Sequence, residues 1–246
     1  FYNYALQNYK VMELVEPTYE DVENQIKNFD ILFCAPNHQT FVIDEDLIKD
    51  SNVKCILSPS TGLNHIDVDS VPIVSVKNDK ILNNVWSTAE HALYLMLSIV
   101  RGKHELHEKT LGIIGYGRLG KMVEQLCKPL FQDVICVDED DDMSLLYIES
   151  DVVSIHIDLN PTTKNLIDNE FLSHFKRNIY LINTARGEVV NEKDIKHLLS
   201  VGRIKGYATD VLQSEYNGKQ STFDGVENVI TTPHIAGTSI EAQEKT

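Results

Sequence analysis

TLGIIGYGRLG, residues 110–120, decides how this chain of 246 residues is read. Its first half is an apolar run of strand type. Its second half is Gly115-Tyr116-Gly117-Arg118-Leu119-Gly120, a G-x-G-x-x-G that opens the helix-like stretch RLGKMVEQLCKPL. The motif carries weight only in that strand–turn–helix setting. Gly115 allows the tight turn, Gly117 lets the backbone approach a pyrophosphate, and Gly120 lets the helix pack close to the strand. The helix start adds free N–H groups and a partial positive charge suited to phosphates. Asp138 ends the next strand-like run, DVICVD (133–138), 18 residues beyond Gly120. A carboxylate there accepts hydrogen bonds from ribose hydroxyls and repels a 2′-phosphate. Glu139 and Asp140 to Asp142 add to that repulsion, so the expected cofactor is NAD rather than NADP. Asp140 to Asp142 otherwise read as a solvated loop.

Outward from this stretch the chain alternates short apolar runs with helix-length spacers. Downstream, DVVSIHI (151–157), NIYLIN (178–183), IKGYATDV (204–211) and NVITT (228–232) read as strands. Upstream, YKVMEL (9–14), DILFCA (30–35), VKCILS (53–58) and PIVSV (72–76) read likewise, with a Thr-capped helix at TYEDVENQIKNF between the first two. STAEHALYLMLSIVRG (87–102) predicts a long helix, capped by Ser87 or Thr88, ended by Gly102 and apolar on nearly every side after His91. Such a helix is expected to be buried between other elements and to join two domains. The alternation predicts an α/β fold with parallel sheets flanked by helices.

Composition narrows the function. With 42% hydrophobic and 24% charged residues the chain is of ordinary globular type. A formal net charge of −15 disfavours nucleic acid and anionic lipid as partners. No apolar run is long enough to span a bilayer. The N-terminus FYNYALQNYKVMEL lacks the basic start and apolar core of a signal peptide and lacks an initiator Met, so N-terminal sequence is expected to be missing. Cys34, Cys55, Cys127 and Cys136 form no C-x-x-C pair and read as free thiols in a reducing cytoplasm, with no metal.

Six blocks in order, STAEHALYLML, TLGIIGYGRLG, SDVVSIHI, LINTARGEVVN, GYATDV with the following Glu215, and TTPHIAG, resemble the D-isomer-specific 2-hydroxyacid dehydrogenases. The resemblance runs from about residue 30 to 240. It implies two Rossmann-like doubly wound parallel-sheet domains with the active site in the cleft between them. The substrate domain is expected at 1–84, completed by 235–246, and the NAD-binding domain at 85–234. It implies hydride transfer between nicotinamide and a small D-2-hydroxy acid or 2-keto acid, and a homodimer.

The family's catalytic trio falls on Arg186, Glu215 and His234, with gaps of 29 and 19 residues that fit the family pattern. The chemistry suits these types. An imidazole titrates near neutrality and can move the hydroxyl proton, a carboxylate orients the ring and favours its protonated form, and a guanidinium grips a carboxylate and polarises a carbonyl. The resemblance also implies that Asp210 meets the nicotinamide carboxamide, that Thr184 and Ala185 lie under the cofactor, and that His156 lines its cleft. Arg118 and Leu119 lie within the phosphate loop. Backbone N–H groups of Thr61, Gly62 and Leu63 would bind the substrate carboxylate as a nest, with Gly62 permitting an unusual backbone turn. Ser58 stands where phosphoglycerate dehydrogenases often carry Arg, which weakens the case for a phosphorylated substrate.

Three departures concern length. RGKHELHEKT is about twenty residues short of the family, Asp138 to Ser144 lacks a loop and short strand, and after Ala242 the family's C-terminal helix is absent. Omission of exposed stretches from the sequence is the favoured reading over a compact member. Since NAD-sensing corepressors, such as the C-terminal binding proteins, keep the same trio, an NAD(H)-sensing binding protein is the alternative to an enzyme.

Overall fold

Apolar runs separated by helix-length spacers pair in parallel, because each crossover must carry the chain back before the next strand starts. The computed structural model describes residues 2–35, 40–216 and 220–246, and clusters the chain into two units.

The first unit holds residues up to Val85 together with Glu215, Tyr216 and Ser239–Thr246. In chain order it contains α1 (Tyr2–Asn8), α2 (Tyr19–Ile26), β1 (Ile31–Phe33), β2 (Ile43–Asp44), α3 (Glu45–Ile48), β3 (Cys55–Ser58), β4 (Ile66–Asp67) and β5 (Ile73–Ser75). A parallel sheet runs β1–β3–β5, with Ile31 opposite Cys55 and Ile56 opposite Ile73, beside a short parallel pair of β2 and β4. Thr18 and Asp21 close a reciprocal capping box on α2, whose buried Val22 and Ile26 pack with Ile43, Leu47, Ile48 and Ile56. The strand expected at 9–14 does not form. Tyr9, Val11, Met12 and Leu14 are exposed; an apolar alternation without a neighbouring strand leaves its backbone to water.

The second unit comprises Trp86–Ser214 and residues 220–238. It contains α4 (Ser87–Val100), β6 (Thr110–Ile114), α5 (Arg118–Cys127), β7 (Asp133–Val137), α6 (Ser144–Glu149), β8 (Val152–Ile155), α7 (Asn169–Ser173), β9 (Ile179–Asn183), α8 (Glu192–Ser200), β10 (Ile204–Thr209) and β11 (Val229–Thr231). Its sheet runs β7–β6–β8–β9–β10–β11, parallel throughout. This is the doubly wound order lacking one edge strand beyond β7, as the brevity of 138–144 foretold. In its place Asp138 and Asp141 close a turn through Asp138 N–H to Asp141 Oδ2 (2.8 Å), and Asp142 caps Ser144. These exposed acids therefore shape the connection as well as charging it.

Alternate residues of the central strands feed two cores. Val153, Ile155, Ile179 and Leu181 pack with α7 and α8, while Val152, Tyr180 and Ile182 pack with Leu95, Met96 and Ile99 of α4. Two features of α4 differ from expectation. Its cap position is Trp86, with no side-chain cap bond, and Ser87 is buried inside the first turn. Its burial is one-sided: Ala89, Ala92, Leu95 and Met96 are fully buried, whereas Tyr94 and Leu97 are exposed. The helix ends where Arg101 turns extended and Gly102 takes φ +102°.

The chain does form a last helix, α9 (Ile240–Lys245), capped by Ser239 and tied within the first unit by Lys245 Nζ to Asn84 O (2.7 Å). All four cysteines are free, and burial pushes the thiols of Cys34 and Cys127 up to about 12. Among the described residues no helix is long and apolar enough to cross a membrane. Leu95→Ala should cost about 2–5 kcal/mol, from lost transfer energy plus a cavity. Chemical denaturation checks this.

Candidate functional site

Because the six strands of the second unit are parallel, the segments that follow them leave the sheet at one edge. Gly115 follows β6, Asp138 follows β7, His156 follows β8, Thr184 to Arg186 follow β9, Asp210 follows β10, and the loop holding His234 follows β11. β6 lies between β7 and β8, so the chain winds outward in both directions from the β6–β8 boundary. A crevice at such a switch point is where doubly wound sheets bind ligands.

The three glycines of the loop do different jobs. Gly115 has φ +92°, and a Cβ there would lie 2.7 Å from the His156 backbone. A Cβ on Gly120 would lie 2.2 Å from Gly115 O, so helix and turn touch there through backbone. A Cβ on Gly117 would meet nothing within 4 Å. Its own chain therefore does not require glycine at 117, which is what a cradle for an external group looks like. Gly117 is also the cap residue of α5 and offers no side-chain cap bond to the first N–H groups. Tyr116 donates to Glu124, which pushes its phenol up to about 12 and pins the loop to the helix. Arg118 lies half-buried on the first turn near Met122 Sδ (3.6 Å), burial lowering its pKa, and Leu119 packs against the core. Asp138 is exposed, one carboxylate oxygen accepting Glu139 N–H at 3.2 Å.

Among the described residues, two polar atoms at this edge are shut off from solvent without a partner, Nδ1 of His156 and Oγ1 of Thr184. Since Ile155 pairs with Asn183, they belong to neighbouring positions just past the ends of β8 and β9. Native proteins rarely leave such atoms unmatched, so with Gly117 they fit a bound dinucleotide. Nε2 of His156 meets Ser154 Oγ at 2.8 Å, and desolvation lowers the ring's pKa to about 4.

Arg186 is placed by a buried amide. Asn183 donates to Arg186 O (2.9 Å) and accepts from Ala185 N–H (2.9 Å). A Cβ on Gly187 would lie 2.2 Å from the Leu212 backbone, so the turn after β9 and the loop after β10 press together. Buried Glu192 accepts Gln213 N–H at 2.8 Å, and Gln213 donates to Val190 O. This fixes the segment leading into Glu215, which itself clusters with the first unit rather than with the expected 85–234 domain.

Asp210 organises the His234 loop. It is 1% exposed. Oδ1 accepts from Thr232 Oγ1 (2.5 Å) and Ile235 N–H (3.0 Å), Oδ2 from Ala236 N–H (2.8 Å), and its carbonyl from His234 N–H (2.9 Å). Burial alone would raise its pKa, but the bonds from His91, Thr232, Ala236 and Ile235 outweigh it and hold the carboxyl below the usual range. His234 has φ +53°, a left-handed backbone that costs a non-glycine residue about 1–3 kcal/mol and persists only where the surroundings enforce it.

In the first unit, Thr61, Gly62 and Leu63 are half-exposed above a polar bed. Ser58 and His65 are buried, Ser58 Oγ meets Ser60 Oγ at 2.7 Å and His65 Nε2 at 3.2 Å, and Ser60 donates to Gly62 O. The Ser60 hydroxyl, bonded to Gly62 O at 2.8 Å, helps hold this turn.

A family model described as D-isomer specific 2-hydroxyacid dehydrogenase, NAD binding domain, matches residues 96–236, more than half of the chain. The chain belongs to the D-isomer-specific 2-hydroxyacid dehydrogenase family. It is thus an NAD-dependent oxidoreductase of small 2-hydroxy or 2-keto acids. This dehydrogenase is 30% identical to glyoxylate reductase of Thermofilum pendens, over 93% of this chain and 78% of that one. It is 27% identical to formate dehydrogenase of Candida boidinii, over 92% and 74%. The latter match needs 270 aligned positions, so this chain is shorter within the matched region itself. Among solved structures, NAD-dependent formate dehydrogenase from Staphylococcus aureus in complex with NAD matches with a TM-score of 0.82 and 25% identity, over 99% of this chain and 83% of that one.

Motif reading missed Asn183, Gly187, Glu192 and His91. An amide ending an otherwise apolar strand is a signal for Asn183. None exists for His91, whose partner Thr232 is 141 residues away.

Two outcomes follow. Gly117→Ala should leave Tm unchanged but weaken NADH binding by roughly tenfold, while Gly120→Ala should cost about 2 kcal/mol or more of stability. Calorimetry with NADH titration separates them. The folded pKa of His156, about 4, lies below its unfolded value of 6.5. Its contribution is therefore fully present above 6.5 and lost as pH falls from 6.5 toward 4, because only the unfolded state takes up the proton there. His156→Gln should flatten Tm against pH in that window.

Proposed function

We propose that this chain reduces a small 2-keto acid to the D-2-hydroxy acid, or runs the reverse, with Arg186, Glu215 and His234 as the working residues. The observation that carries the reading is His234 itself: a histidine held in a left-handed backbone by a buried carboxylate, at the ligand-binding edge of an NAD-binding sheet. NADH, when bound, supplies the hydride. The chain's own groups manage proton and charge. His234 as imidazolium gives its proton to the keto oxygen, and in the oxidative direction the neutral ring takes it from the hydroxyl. Glu215 orients the ring and favours the charged form. Arg186 holds the carboxylate and draws charge onto the carbonyl oxygen. Backbone N–H groups of Thr61, Gly62 and Leu63 complete the carboxylate's hold.

Cofactor contacts are assigned to Gly115, Gly117, Arg118, Leu119, Gly120, Asp138, His156, Thr184 and Ala185. Asp210 reaches the carboxamide only with whatever capacity its loop bonds leave. Asp138 selects against a 2′-phosphate. Ser58 is buried and already bonded, which supports an unphosphorylated substrate. The first unit is read as the substrate domain. The exposed Tyr94 and Leu97 on α4 support a homodimer, for which light scattering should give the mass of two chains.

The test is NADH oxidation with glyoxylate, hydroxypyruvate, pyruvate, 2-oxoglutarate and phosphohydroxypyruvate, and NAD reduction with formate. Turnover of at least one unphosphorylated keto acid is expected. NADH binding without turnover of any would favour a sensing protein, and turnover of formate alone would replace the substrate. His234→Ala should lower turnover by about 100-fold or more while NADH still binds; unchanged turnover removes His234 from the mechanism.

A further inference from the structure

His91 has no part in the trio or in the cofactor loop, yet it is bonded into the array behind His234. It sits in the second turn of α4, whose buried residues lock it against the sheet. Its Nε2 is 2.9 Å from Thr232 Oγ1 and 3.4 Å from Asp210 Oδ1, and its side chain is 13% exposed. The direction of these bonds follows from valence. A threonine hydroxyl has one proton, and an ionised carboxylate can only accept. Thr232 therefore donates to Asp210, and its oxygen can only accept from His91. Nε2 of His91 must carry a proton, whatever the state of Nδ1.

We propose that His91 is a positioning residue for the reaction: its Nε2–H, held by α4, closes the array through Thr232 and Asp210 that keeps His234 in its left-handed backbone. Without it, Thr232 Oγ1 loses its only described donor, and the hydroxyl can rotate away from Asp210. The carboxylate then keeps its two backbone donors from Ile235 and Ala236 but loses the side-chain bond that fixes where the loop leaves β11. His234, two residues further on, moves with that anchor. The loop at 115–120 is on other elements and Asp210 keeps its backbone donors, so NADH affinity changes little.

The inference rests on His234 as the acid–base group, and the experiment separates the two. In the full chain, His91→Leu should lower kcat by roughly 10- to 100-fold, with Kd for NADH and KM for the keto acid changed less than about threefold. His91→Gln, which restores an N–H donor, should recover most of kcat. In a His234→Ala background His91→Leu should add nothing, because its effect runs through His234. If His91→Leu does not fold, Thr232→Val against Thr232→Ser carries the same comparison. Unchanged kcat in His91→Leu or Thr232→Val, equal loss of kcat and NADH affinity, or an undiminished effect in the His234→Ala background would each overturn the inference. Unchanged turnover in His234→Ala alone would instead overturn the assignment of His234.

Discussion

The structure of the second unit depends on burying strands whose peptide groups have no access to water. β8 and β9 are buried at every position, so each N–H and C=O must find a partner across the sheet. Parallel pairing does this for six strands and, as a by-product, sends every following segment out at one edge. Residues that are far apart in sequence, from Gly115 to His234, emerge on that one side because the ladder has one direction. The lost edge strand lies outside β7, beyond Asp138, so shortening removes sheet without removing any segment that builds the edge.

That edge has two kinds of surface. Around Gly115, Gly117 and Gly120 it is bare backbone, arranged so that the helix N-terminus is open. Elsewhere buried polar side chains hold loops in place. Asn183 binds the Arg186 turn, Glu192 binds Gln213, and Asp210 binds residues 232–236. A buried carboxylate is costly unless hydrogen bonds surround it. Each of these groups bonds to loop backbone, Asn183 to a carbonyl and an N–H, Glu192 and Asp210 to N–H groups, so satisfying the side chain and fixing the loop are the same event. The left-handed backbone of His234 is one such consequence.

Much was legible beforehand, and the reasons differ by element. β8 and β9 were readable because full burial demands uninterrupted apolar runs, and Gly115 and Gly120 because a Cβ at either would strike backbone. The 9–14 segment misled because alternation reports a face and says nothing of a neighbour. The cap of α4 misled because Ser87 can be buried in the helix as readily as placed at its start.

Sequence by itself determined the parallel α/β architecture, the glycine turn that opens α5 and the family to which the chain belongs. These rest on local rules: strand burial, turn sterics and short spacings that one segment obeys alone. Tertiary structure alone decided why His234 stands as it does, that Asp210 serves its loop, and that His91 reaches Thr232 across 141 residues. Hydrogen bonds between distant segments exist only after the sheet has brought strand ends together, and no spacing along the chain encodes them.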